Sequence, residues 1–180
     1  MNDEILKLAH DTIQSYLQPT QVISKESLSK KYPQFSQKAA VFVTLNLNGN
    51  LRGCIGSLVA HRDLYDDIVH NATSAAFNDP RFAPLRLEEF KNIDIEVSLL
   101  SPAIQLPYED IDDLKSKINI GQDGVILKQD SYQATFLPQV WEQLPTFEQF
   151  FAHLCNKAGL QTSCLQNHPK IYTYKVEKIK

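Results

Sequence analysis

The feature that most restricts this chain is a pair of alternating apolar runs joined by a tight turn. Ala40–Leu47 (AVFVTLNL) is rich in β-branched residues and puts every second one on an apolar face. Asn48-Gly49-Asn50 follows, and then a second run, Leu51–Leu58. Asn-Gly between two such runs is strong hairpin chemistry, because both residues tolerate the positive φ of a turn that matches strand twist. An antiparallel hairpin with one apolar side needs a sheet that is covered on that side.

The flanking chain supplies covering helices. Ile5, Leu8, Ala9, Ile13, Tyr16 and Leu17 share one helical face, and Pro19 ends that helix. Ser24 is placed to cap a short helix through Lys31 before Pro33. From Arg62 to Phe77, Leu64, Ile68, Ala72 and Ala75 form a stripe, with Asp63, Asp66 and Asp67 in the turns where the helix dipole favours anions. The spacing predicts a short helix at Leu87–Phe90 and an alternating strand at Ile93–Leu100. Later come a short helix at Ile111–Lys117, a strand at Val125–Lys128 with a hairpin partner at Gln133–Leu137, and a short helix from Pro138 to Leu144. Thr146-x-x-Gln149 is a capping-box pattern ahead of a phenylalanine-rich helix that Gly159 stops. Ile171–Ile179 reads as one final strand. Strands and helices mix without regular βαβ alternation, so the fold class is α+β, a mostly antiparallel sheet flanked by helices. The proline-bounded stretch at 102–107 is the expected seam within the 180 residues.

Composition narrows the function classes. A net charge of −3 gives no electrostatic footprint for nucleic acid. No apolar run nears the roughly 20 residues needed to cross a bilayer, and the N-terminus does not resemble a signal peptide. Cysteines at 54, 155 and 164 cannot all pair and form no C-x-x-C, which predicts reduced thiols in a cytoplasmic protein. The five histidines show no metal-ligand spacing, so no metal and no cofactor is predicted.

The chemically suggestive segment is Leu51–Gly56, LRGCIG. Two registers are open for it. A two-residue loop pairs Leu47 with Asn50 and sets Arg52 opposite Leu45; a three-residue loop pairs Leu47 with Leu51 and Val43 with Ile55, and sets Asn46 beside Arg52 and Thr44 beside Cys54. The second matches apolar with apolar and is preferred; it sets Arg52 and Cys54 together on the non-core face. There the Arg52 guanidinium would favour a Cys54 thiolate, and Gly53 and Gly56 would leave room for a ligand. The plainer reading is a small buried cysteine beside glycines that mark a bulge or close packing. A Cys54 pair with His61 or His70 is a weaker arrangement of the same kind. Asp79-Pro80-Arg81-Phe82 reads either as an Asp-capped turn or as a cleft wall whose Arg81 binds an anion. Glu96 and Ser98 point away from one core layer, toward solvent or the same cleft. Gly121-Gln122-Asp123-Gly124 is a turn, since no Lys-Ser/Thr follows as a phosphate cradle requires.

LRGCIG resembles the signature of the AMME chromosomal region gene-1 domain family, whose prokaryotic members are called AmmeMemoRadiSam system protein A. Asp79–Phe82 (DPRF) with Pro84, Ile95–Leu100 (IEVSLL), Gly121–Gly124, Thr135–Val140 (TFLPQV) and Leu154–Leu160 (LCNKAGL) follow in matching order. The resemblance implies two lobes with a cleft between them, the larger lobe holding both termini and the smaller inserted, with LRGCIG near the cleft. It implies work alongside a Memo-like protein and a radical SAM protein, and attaches no reaction. Two functions follow: an accessory module for such partners, or an enzyme using Cys54 as nucleophile or redox thiol on a small anion, with Arg52, Asp79, Arg81 and Glu96 around it.

Overall fold

The computed structural model describes residues 1–180, and the chain divides into two compact units: 1–100 with 177–180, and 101–176. The first unit begins with α1 (Asn2–Leu17) and α2 (Lys25–Lys31), whose first-turn amide at Ser27 donates to the Ser24 hydroxyl at 3.2 Å. β1 (Ala40–Leu47) and β2 (Asn50–Gly56) form the hairpin, α3 (Leu64–Phe77) and α4 (Leu87–Phe90) follow, and β3 (Ile93–Leu100) pairs antiparallel with β1. With β8 (Val176–Ile179) they make a four-stranded sheet of order β2-β1-β3-β8. Val41, Val43, Leu45 and Val97 point to one side of it. There they meet Ile5, Leu8 and Ile13 of α1 and Ile68, Ala72 and Ala75 of α3, all essentially fully buried. The two helical stripes therefore close over the apolar face that the strand alternation creates.

The hairpin register combines both loops weighed from the sequence. The turn has two residues, Asn48 and Gly49, at φ 52° and 79°, and Leu47 pairs with Asn50. Yet Thr44 pairs with Cys54 and Val43 with Ile55, as the longer loop required. A β-bulge reconciles them: Leu45 opposes Gly53, Asn46 opposes Leu51, and Arg52 is the extra residue. The preferred three-residue loop is thereby corrected. Asn-Gly has the geometry for a two-residue turn, and the bulge restores apolar matching beyond it.

The second unit holds β4 (Ile104–Gln105), α5 (Ile111–Lys117), β5 (Gly124–Gln129), β6 (Tyr132–Phe136), α6 (Phe147–Lys157) and β7 (Lys170–Tyr174). Its sheet runs β4-β7-β5-β6, antiparallel at each pairing. Val125, Leu127 and Ile171 pack with Leu114, Phe147, Phe150, Phe151 and Leu154. Trp141 lies flat on Phe150 with ring centroids 3.6 Å apart, and its indole N–H donates to the Asp123 carbonyl at 2.8 Å. The 121–124 turn is thus a packing feature, with the buried Asp123 carboxylate accepting from the Asn119 amide and pairing with Lys175.

Two further expectations are corrected. The expected single strand over 171–179 is two, β7 in the second unit's sheet and β8 in the first unit's, with Lys175 between them. Alternation carries no information about which sheet a strand joins. Cys155 and Cys164 are not free thiols but a disulfide, with Cα atoms 5.8 Å apart. An odd cysteine count left Cys54 as the free one instead of leaving all three free. No helix is long and apolar enough to cross a membrane.

Candidate functional site around Cys54

β2 is an edge strand, so the outward N–H and C=O of Cys54 have no neighbouring strand to bond. The DPRF segment takes that place with side chains. The Cys54 amide donates to Asp79 Oδ2 at 2.9 Å, and Arg81 Nη2 donates to the Cys54 carbonyl at 3.2 Å. Asp79 also accepts Arg81 Nε at 3.0 Å, Arg81 Nη2 at 2.7 Å and the Arg81 backbone amide at 3.1 Å. The carboxylate thus stands for a strand carbonyl and the guanidinium for a strand amide, and the two neutralise each other. Asp79 is buried, and the Arg81 guanidinium with these amides holds its carboxyl far below the usual carboxylate range. Asp79 in turn raises the Arg81 guanidinium above its ordinary value. The capped-turn reading of DPRF is therefore realised, with the cap reaching across to β2.

Arg52 is engaged elsewhere. Its Nε and Nη2 donate to the two carboxylate oxygens of Glu89 at 2.9 and 3.1 Å, and Nη2 also reaches the Ala83 carbonyl at 2.9 Å. This fork-on-fork pair is the geometry in which arginine binds carboxylate best. Glu89 also accepts the Arg86 amide at the start of α4, and Arg52, the nearest cation, lowers its carboxyl to about 2. The Phe82 ring lies within 5.8 Å of the Arg52 guanidinium and 5.4 Å of that of Arg81. Arg52 thus ties the bulge of β2 to α4 and the 79–86 loop.

The glycines are there for space. A Cβ on Gly53 would sit 2.1 Å from the Ala75 carbonyl oxygen of α3, and one on Gly56 would sit 2.2 Å from the Phe42 ring. Gly53 faces the helix layer and Gly56 lies under the ring of its cross-strand partner Phe42.

The thiol remains. Cys54 is half-buried on the sheet face opposite α1 and α3, with Sγ 3.3 Å from the Thr44 hydroxyl. Register puts Cys54, Thr44 and Glu96 in one row across β2, β1 and β3. Glu96 completes the row by pairing with Lys180, just beyond β8, at 3.0 Å and, more loosely, with Lys178 of β8 at 3.9 Å. The first unit therefore presents a polar row of thiol, hydroxyl, carboxylate and ammonium groups. His61 and His70 are both exposed, and the thiol's hydrogen-bonding partner is Thr44. No three His, Cys, Asp or Glu side chains converge as a metal site would need.

Sequence reasoning named Arg52, Gly53, Cys54, Gly56, Asp79, Arg81 and Glu96. Two groups form around them: Asp79 and Arg81 on the Cys54 backbone, and Glu96 in the thiol's row. Thr44 stands beside Cys54 as the preferred register set it, whereas Glu89 was missed. Glu89 carries a legible signal, standing three residues after Arg86 at a helix start where a carboxylate reaches back to the cap amide. A buried polar cluster was missed too. Asp67, fully buried, accepts from the Val41 amide, the Ser57 hydroxyl, Arg62 and Asn71 at 2.7–3.1 Å. It locks α3 to the start of β1.

The AMMECR1 family model matches residues 6–179. A protein of Methanothermobacter thermautotrophicus is 39% identical over 149 residues, covering 79% of this chain and 76% of that one. A Methanosarcina barkeri protein is 40% identical over 160 residues, covering 86% and 77%. The crystal structure of an uncharacterised protein from Pyrococcus horikoshii superimposes with a TM-score of 0.79 at 34% identity, covering 97% of this chain and 88% of that one. Family model, relatives and fold agree: this chain belongs to the AMMECR1 family.

Proposed function

We propose that the chain is an accessory protein that works by binding, acting with a Memo-like protein, a radical SAM protein, or both. One observation carries this reading: the charged side chains of LRGCIG and DPRF are spent on one another's backbone and on Glu89, building a rigid edge around Cys54. Pre-organised surfaces of that kind suit recognition, because little side-chain entropy is lost when a partner arrives. The test is affinity capture with in-cell cross-linking in the native organism. Enrichment of a Memo-like or radical SAM protein over a tag-only control is expected, and enrichment of neither refutes the reading.

A second reading has its own support. Cys54 is the one free cysteine, it bonds a hydroxyl, and the Arg81 side chain whose guanidinium reaches its carbonyl is 53% exposed. These favour a thiol enzyme acting on a small anion, with Cys54 as nucleophile or redox centre. Iodoacetamide at neutral pH would then label Cys54 faster than a free-thiol peptide, and phosphate would slow it. Labelling at the peptide's rate with no phosphate effect excludes this chemistry.

A further inference from the structure

The second unit contains one covalent cross-link, between Cys155 and Cys164. α6 ends at Lys157, Gly159 turns the chain at φ 82°, and a 3-10 turn, Cys164–Asn167, leads through His168 at φ 53° and Pro169 into β7. Within 158–169 the backbone bonds are local: Gly159 to Asn156, Leu160 to Cys155, Cys164 to Gln161, His168 to Leu165. Such bonds hold a turn in shape but do not anchor it to a core. Anchoring comes from the buried Cys164 and Leu165 and from Tyr108, which donates to the Pro169 carbonyl at 2.7 Å and stacks on His168 at 4.2 Å. The Cys155–Cys164 bond fastens this segment to the buried face of α6.

We infer that this disulfide is a redox-sensitive latch: oxidised, it pins the 158–169 segment to α6; reduced, it releases the segment while the core of the unit stays packed. Both sulfurs lie in apolar surroundings, Cys155 at 0% and Cys164 at 2% exposure. Reduced cysteine behaves as a small hydrophobe, so Cys155 stays in the buried face of α6 and the core keeps its packing, while the segment carrying Cys164 loses its covalent tether. The step is ordinary thiol–disulfide exchange with a small thiol of the glutathione class. Its thiolate attacks one sulfur, the S–S bond breaks, and the other cysteine leaves as a thiolate that takes a proton. A second small thiol, as thiolate, resolves the mixed disulfide. The chain gains two electrons and two protons, and two small thiols become one small disulfide. Because both sulfurs are buried, attack has to wait for the segment to open, so exchange is gated by local unfolding.

Lys157 and Lys170 flank the segment, which makes trypsin a direct reporter. The intact protein, with Cys54 replaced by Ser to leave only this pair, is held in glutathione buffers of graded ratio. It is then alkylated under denaturing conditions and weighed, while parallel samples are digested briefly with trypsin. The expected result is a two-thiol change in mass between oxidising and reducing buffers, with cleavage at Lys157 and Lys170 at least about tenfold faster in the reduced form. Cys155→Ala/Cys164→Ala should cleave at the reduced rate in every buffer. Two alkylated thiols in every buffer, or cleavage independent of the bond, overturns the latch. Should the double variant fail to fold, Cys164→Ser alone keeps the α6 core intact and gives the same comparison.

Discussion

Gly53→Ala should be among the most damaging single methyl additions in the chain, and Gly56→Ala distinctly milder. Neither glycine has left-handed backbone, so the difference rests on what the new Cβ meets. At Gly53 it meets the Ala75 carbonyl oxygen at 2.1 Å and its carbon at 3.1 Å. That is about 1.3 Å short of the 3.4 Å at which ordinary contact begins. Both atoms belong to the backbone of α3, so relief requires the helix and β2 to separate over a core that is already close-packed. Overpacking costs about 1–3 kcal/mol where side chains can rearrange, and about 3 kcal/mol or more is expected where they cannot. Loss of glycine's unfolded-state entropy returns only about 0.4–1 kcal/mol. At Gly56 the obstacle is the Phe42 ring, which can swing aside at about 1–2 kcal/mol. Urea unfolding followed by far-UV circular dichroism measures both, since the single tryptophan lies in the other unit. Combining Phe42→Ala with Gly56→Ala should recover about 1 kcal/mol relative to additivity. A Gly53→Ala protein within about 0.5 kcal/mol of the original would refute the close-approach argument.

Other expectations follow from the same geometry. Asp67→Asn replaces a buried acceptor of four donors with a group that must turn an N–H₂ toward some of them, and should cost about 3 kcal/mol in urea unfolding. The Glu89 carboxyl titrates at about 2 when folded against an ordinary 4.5. Its contribution is therefore full above about pH 4.5 and is lost as pH falls through about 2. Arg52→Met should flatten the fall in stability over that window in an acid titration; an unchanged slope would contradict the pairing. Asp79→Ala removes the side-chain surrogate for a strand and opens the β2 edge. Concentration-dependent self-association by light scattering is expected, and a strictly monodisperse variant would argue against edge protection.

Much of the fold was legible in local pattern. Alternation in Ala40–Leu47 and Ile93–Leu100 and the 3.6-residue stripes of α1, α3 and α6 are one-dimensional signals, because side-chain direction repeats along the element itself. Turn chemistry was equally local at Asn48-Gly49, Ser24 and Thr146. Partner choice was not. Nothing in the Lys170–Lys180 pattern distinguishes a continuous strand from two strands in two sheets, and nothing in three cysteines says which two meet. LRGCIG shows the boundary most clearly. The sequence alone determined that a glycine-flanked cysteine sits on a strand beside an arginine, since that needs only spacing. Hairpin register likewise set Thr44 beside the thiol. Only the tertiary structure decided that Arg52 turns to Glu89 and that Asp79 and Arg81 complete the strand edge. The reason is distance along the chain: these partners lie 25 to 37 residues apart, and only the packing of β2 against its neighbours brings them within bonding reach.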